Sequence, residues 1–140
     1  MYIGGNIYYP LEFRSSFIKE HPLYARDLEK IIERSGFKAK FCGLYVQRLR
    51  FLEEHRESCI KRRNWFELLR YAGGEIFAIK FKAEKNIRIL FCFVEYLKVK
   101  YAILLYPFEE KESKKKKGKY CYDDAIIVAF KRRKEVLPDD

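Results

Sequence analysis

Histidine is nearly missing from this chain, and the usual signatures of metal and hydrolytic chemistry are missing altogether. Two histidines, His21 and His55, stand in 140 residues. His21 precedes a proline and His55 lies among glutamates, so they read as a loop residue and a helix-surface residue rather than as catalysts. The four cysteines, Cys42, Cys59, Cys92 and Cys121, are widely spaced with no CxxC pair. That spacing argues against a zinc site or a disulfide framework. Cys92 sits between Phe91 and Phe93 and is expected to be a buried thiol. The HExxH, GxSxG and GxxxxGK[ST] patterns and the nucleotide-binding glycine fingerprint do not occur, which removes the zincin, nucleophile-elbow and P-loop readings. No cofactor is expected. No stretch approaches the roughly 20 apolar residues of a membrane span, and no signal peptide opens the chain. The expectation is a cytoplasmic protein with no membrane partner.

What the chain does have is apolar mass and positive charge. Its 49% hydrophobic and 17% aromatic residues can fill one core, so a single domain over 1–140 is expected. Thirty Lys and Arg against 20 Asp and Glu leave a net charge of +10, with a pI near 9.4. Such an excess favours an anionic partner, whether nucleic acid, acidic protein or a membrane surface.

Periodicity divides the chain into elements. MYIGGNIYYPLEF has the bulky residues of a strand, closed by Pro10. LYARDLEKIIERS, residues 23–35, puts Leu28, Ile31 and Ile32 on one helical face before Gly36. GLYVQRLRFLEEHR, residues 43–56, reads as a second helix on Leu44, Tyr45, Leu49 and Leu52. The Trp65–Leu69 segment reads equally as a short helix or an irregular packing segment, with Gly73-Gly74 as the turn after it. Three strands follow at 76–82, 86–96 and 99–108, the middle one almost continuously apolar. Their short linkers imply an antiparallel meander. DDAIIVAFKRRKEV closes as a helix, with Asp123 and Asp124 at its start and Lys131, Arg132, Arg133 and Lys134 at its end, as the helix dipole favours. The fold class is therefore α+β: a small curved antiparallel sheet, two N-terminal helices and one C-terminal helix.

The cations fall in clusters. Residues 111–119, KESKKKKGK, form one, with Lys114, Lys115, Lys116 and Lys117 contiguous. Lys61, Arg62 and Arg63 form a second, and residues 131–134 a third. Tyr106, Phe108, Tyr120 and Tyr122 stand near the first. Lysines beside stackable rings are what single-stranded RNA contact requires. A solvated loop is the competing reading of the tetralysine. Lys80 and Arg88 lie inside strands, where a cation is costly unless its head reaches solvent or an anion. Snorkelling explains either one; a concave sheet face presenting both to a phosphate explains them together. Metal-free RNA cleavage needs a base for the 2′-hydroxyl, cations for the pentacoordinate phosphate and an acid for the 5′-oxygen. Lysine and arginine supply the second service, and Tyr106, Tyr120 or Tyr122 could act as acid or stack on a base. The sequence offers no clear general base.

The motif order in the C-terminal half resembles the RelE/ParE superfamily of bacterial toxins, in particular its HigB-like branch related to phage Gp49-like proteins. Phe77, Ala78, Ile79 and Lys80 answer to its first strand motif. Arg88, Ile89, Leu90 and Phe91 answer to the second, and Leu105, Tyr106, Pro107, Phe108, Glu110 and Lys111 to the third. Ala129 matches the alanine of the terminal helix. The chain departs from the pattern at Ala78 for a glutamate, Tyr106 for a histidine, Pro107 for a glycine and Glu110 for a lysine. The resemblance implies a type II toxin: a metal-free, ribosome-dependent mRNA endoribonuclease, with mRNA and the ribosome as partners and a helix-turn-helix antitoxin. It implies Lys80, Arg88, Lys111 and Lys114 as phosphate ligands and Tyr120 as a stacking or donating ring. A non-enzymatic or gyrase-directed relative, or a basic nucleic-acid-binding phage-related protein, are the other readings.

Overall fold

Along residues 86–96, Ile87, Ile89 and Phe91 point to one side and Arg88, Leu90 and Cys92 to the other, and both sides are buried. That two-sided burial makes the segment the middle of the sheet. The structure, a computed structural model, describes residues 6–82, 86–110 and 119–137, the side chains of 119–121 excepted.

Five strands and three helices are described: β1 (Ile18–Glu20), α1 (Tyr24–Ile32), α2 (Lys38–His55), β2 (Phe66–Tyr71), β3 (Gly74–Lys82), β4 (Asn86–Tyr96), β5 (Val99–Glu109) and α3 (Lys119–Val136). The sheet order is β1-β5-β4-β3-β2. β2 to β5 form an antiparallel meander, as their short linkers imply, and β1 adds one parallel pairing on the outer edge of β5. The protein is thus an α+β domain whose two N-terminal helices and C-terminal helix pack against a curved, mixed sheet. The β4–β5 turn is two residues long, with Leu97 and Lys98 both at positive φ, the backbone that a tight hairpin demands.

Several expectations need correction. The expected first strand, of which residues 1–5 lie outside the described set, holds only an isolated bridge between Ile7 and Phe13; β1 begins at Ile18. The segment after α2 is a 3-10 turn (Arg56–Lys61) and then a true strand, so the meander has four strands rather than three. Pairing with β3 decides this, since Phe66 and Leu68 alternate with Glu67 and Leu69 against Ile79 to Ile76. The second helix starts earlier than expected, because Phe41 continues the buried stripe of Tyr45, Leu49 and Leu52.

One core lies between the sheet and α1 and α2. There Phe41 stacks on Tyr45 at 5.3 Å and meets Phe81 at 4.9 Å. Tyr24 and Tyr45 hydrogen-bond through their hydroxyls at 2.9 Å. The other core lies under α3, built on Ile76, Ala78, Leu90, Ile103, Leu105, Ile126 and Ala129. His21 is buried: its Nδ1 accepts from the Leu23 N–H at the start of α1, and its Nε2 lies 3.2 Å from Glu135. Burial lowers its pKa. Cys92 is buried as expected, and burial pushes its thiol up to about 12. No described helix is long and apolar enough to cross a membrane.

Glu20, near the tyrosine pair, has a buried Oε2 with no hydrogen-bond partner among the described residues. Burial raises its pKa from 4.5 to about 7. The folded chain therefore holds a proton that the unfolded chain releases, and stability falls as pH rises from 4.5 to about 7. Allowing for its partial exposure, the loss is about 1–2 kcal/mol. Glu20→Gln should raise the melting temperature at pH 8 and leave it almost unchanged at pH 4.5; thermal melts across that range would detect it, and equal shifts at both ends would contradict it.

Candidate functional site

β3 and β4 run antiparallel, and their register sets Lys80 directly opposite Arg88. Strand alternation carries both to the α3 face, in line with Ala78 and Leu90. A β-bulge in β5 matters here. Leu90 pairs with Tyr106 but Phe91 pairs with Leu104, so Leu105 is an extra residue. Beyond it the alternation of β5 is reversed, and Tyr106 and Phe108 join Ile103 and Leu105 under α3. Phe108 is then opposite Arg88, and Glu110 lies on the same face. From α3, Tyr122 packs edge-on against Phe108 at 5.3 Å.

Arg88 is the centre of this group. It is only 7% exposed. Its Nε donates to the Tyr122 hydroxyl at 3.0 Å, and its Nη2 pairs with Glu110 Oε2 at 3.2 Å. Among the described residues its buried Nη1 has no hydrogen-bond partner. A buried guanidinium with an unused donor carries a desolvation cost that an incoming anion would relieve. Lys80 Nζ lies 3.8 Å from Glu67 Oε2 on β2. Burial lowers the Lys80 pKa, with Lys82 and Arg88 acting in the same sense and Glu67 opposing. Burial raises the Tyr122 pKa, opposed by its bond to Arg88.

The structure thus brings together Lys80, Arg88 and Tyr122 of the residues singled out in the sequence. Tyr106 shares the face but is packed parallel to Phe108 at 6.5 Å and covered by the Arg132 guanidinium at 5.0 Å. Lys111, Lys114, Lys115, Lys116 and Lys117 lie outside the described residues, as does the side chain of Tyr120, whose backbone belongs to the first turn of α3. The basic cluster at 131–134 is partly internal, because Arg132 is buried, pairs with Asp27 and donates to the Leu105 carbonyl.

Sequence reasoning passed over Glu67 and read Glu110 only as a missing lysine. Reading 66–71 as an alternating strand would have put Glu67 near Lys80. Finding Glu110 required the bulge. Among the described residues, no group of three His, Cys, Asp or Glu side chains is arranged to hold a metal ion. Comparison with protein-family models, with curated proteins and with solved structures finds no match.

Removing either partner of Arg88 should cost stability. Tyr122→Phe leaves the Nε donor unmatched and should lower the unfolding free energy by about 1 kcal/mol. Glu110→Gln should lower it by about 2 kcal/mol, less than a fully buried pair loses because Glu110 retains some contact with water. Urea unfolding measures both; midpoints equal to the parent's would show that Arg88 does not depend on these partners.

Proposed function

We propose that the chain is a toxin of the RelE/ParE type: a cytoplasmic endoribonuclease that takes single-stranded mRNA on the ribosome and is held in check by a cognate antitoxin, expected to carry a helix-turn-helix. The observation that supports this reading is the Lys80–Arg88 cross-strand pair with its unused guanidinium donor. The pair lies close to Glu110, the residue from which the lysine-rich segment departs in sequence.

In this reading a phosphodiester enters between Lys80 and Arg88 and competes with Glu110 for the guanidinium. Arg88 stabilises the charge that builds on the phosphorane oxygens. Lys80, whose pKa is lowered by burial, is a stronger acid than an ordinary lysine and protonates the departing 5′-oxygen. Glu67 takes the proton of the attacking 2′-hydroxyl. Its contact with Lys80 is long, at 3.8 Å, so an entering substrate can part them. The O–P bond to the 2′-oxygen forms as the bond to the 5′-oxygen breaks, leaving a 2′,3′-cyclic phosphate and a free 5′-hydroxyl. Tyr122 positions Arg88.

The second reading is a non-enzymatic relative on the same scaffold. It is favoured by the Glu110 carboxylate, which already neutralises Arg88. A cell-free translation reaction with purified protein separates the two. Primer extension along a reporter mRNA should reveal new 5′ ends only when ribosomes are present. Lys80→Ala and Arg88→Lys, shown folded by circular dichroism, should reduce those ends by about a hundredfold or more. Intact mRNA with folded parent protein, beside a working positive control, leaves the non-enzymatic reading standing.

A further inference from the structure

On the other side of the sheet edge, where α2 ends and the chain turns through Arg56–Lys61 into β2, an open cleft of about 660 Å³ is lined by Phe51, His55, Ser58, Lys61, Arg62, Arg63 and Asn64. No carboxylate is among these lining residues. Lys61, Arg62 and Arg63 are exposed and make no ion pair among the described residues. Elsewhere exposed cations do find acids, as Lys100 finds Glu57 and Lys38 finds Glu33.

The floor of the cleft is aromatic. His55 is exposed and stacks on Phe51, with ring centroids 4.1 Å apart and planes at 28°. Phe51 meets Trp65 edge-on at 5.5 Å. The Arg62 guanidinium lies 3.5 Å from the Trp65 ring centre, and that of Arg48 4.7 Å from it. Two arginines therefore share one indole. Arg48 is buried; its Nε donates to the Lys80 carbonyl and its Nη1 to Gln47, and among the described residues no carboxylate pairs with it. Burial and the neighbouring Arg62 lower its pKa to about 10. An anion bound here would relieve that crowding of like charge.

We propose that this cleft is a binding site for single-stranded RNA, in which a base stacks on His55 and on the Arg62 guanidinium plane while Lys61, Arg62 and Arg63 hold the flanking phosphates. Rings alternating with cations fit bases and phosphates in turn, whereas an acidic protein segment would use the cations and leave the rings idle. The site is coupled to the Lys80 face through one residue. The Lys80 N–H donates to the Trp65 carbonyl at 2.7 Å, and the Lys80 carbonyl accepts from Arg48 at 2.8 Å. β2 is an edge strand, so one RNA strand can pass around it from this cleft to Lys80.

The protein contains a single tryptophan, Trp65, which serves as a built-in reporter. The probe is a labelled single-stranded oligoribonucleotide of about ten nucleotides, with 2′-O-methyl riboses so that it cannot be cut and the result does not depend on catalysis. Binding should change Trp65 emission saturably in the parent. The triple variant Lys61→Ala/Arg62→Ala/Arg63→Ala, checked for an unchanged melting temperature, should bind at least about tenfold more weakly by anisotropy. Its slope of log affinity against log salt should be shallower by about 2, as loss of three phosphate contacts requires. Parent-like affinity in the triple variant, or RNA binding that leaves Trp65 emission unmoved, overturns the proposal. So does a polyglutamate peptide that binds as tightly and moves Trp65 as far, which would assign the cleft to an acidic protein.

Discussion

One extra residue in β5 organises the site. Without the bulge at Leu105, the alternation that begins at the β4–β5 turn would set Pro107 and Glu109 on the α3 face and turn Phe108 and Glu110 toward the other core. Arg88 would then lie opposite Pro107 instead of Phe108, and Glu109 would replace Glu110 on its face. The bulge is held in turn by Arg132, which donates to the Leu105 carbonyl at 2.9 Å and pairs with Asp27 of α1. A basic residue near the end of α3 thus fixes the phase of a strand, and the phase of that strand fixes the partner of Arg88. The chain from helix to bulge to ion pair is continuous, and every member is at least partly buried.

Burial gives Arg88 and Lys80 their chemical interest. A surface arginine would be fully solvated and its interaction with a phosphate weakened by water and salt. Arg88 is held by Tyr122 and Glu110 yet retains an unmatched donor, so part of its desolvation cost is left for a ligand to offset. Glu110 sets the terms of that exchange, since any phosphate must compete with it. Lys80 links two surfaces: its side chain faces α3 with Arg88, while its backbone is hydrogen-bonded to Trp65 and Arg48 on the side of α2.

Much of this architecture is written in apolar spacing. The helical stripe Tyr45, Leu49, Leu52 and the doubly apolar run of β4 are unambiguous because burial on one or both faces dictates them, whereas Phe41, which extends that stripe by a turn, fell outside the expected helix. β2 was obscured by its own composition, since FELLRY has an apolar pair at its centre that suits a helix as well as a strand, and only pairing with β3 decides. β1 is three residues long and gains its structure from β5 rather than from its own sequence. At the site, Lys80 and Arg88 were legible because a cation inside an apolar strand needs an explanation. Glu110 was not, because its facing depends on a bulge that no local pattern announces. Arg132 read as one member of the basic cluster at the end of α3; only its contacts with Asp27 and Leu105 reveal an internal strut.

The proposed role of the Arg88 guanidinium is to receive an RNA phosphate. The most direct measurement is the side-chain Nε–Hε resonance of Arg88 in ¹⁵N-labelled protein, assigned with Arg88→Lys and followed while the uncleavable oligoribonucleotide is added. A saturable shift of that resonance, with the same apparent affinity as binding itself, is the expected result. An Arg88 resonance that stays in place while the RNA is demonstrably bound would show that Arg88 receives no phosphate.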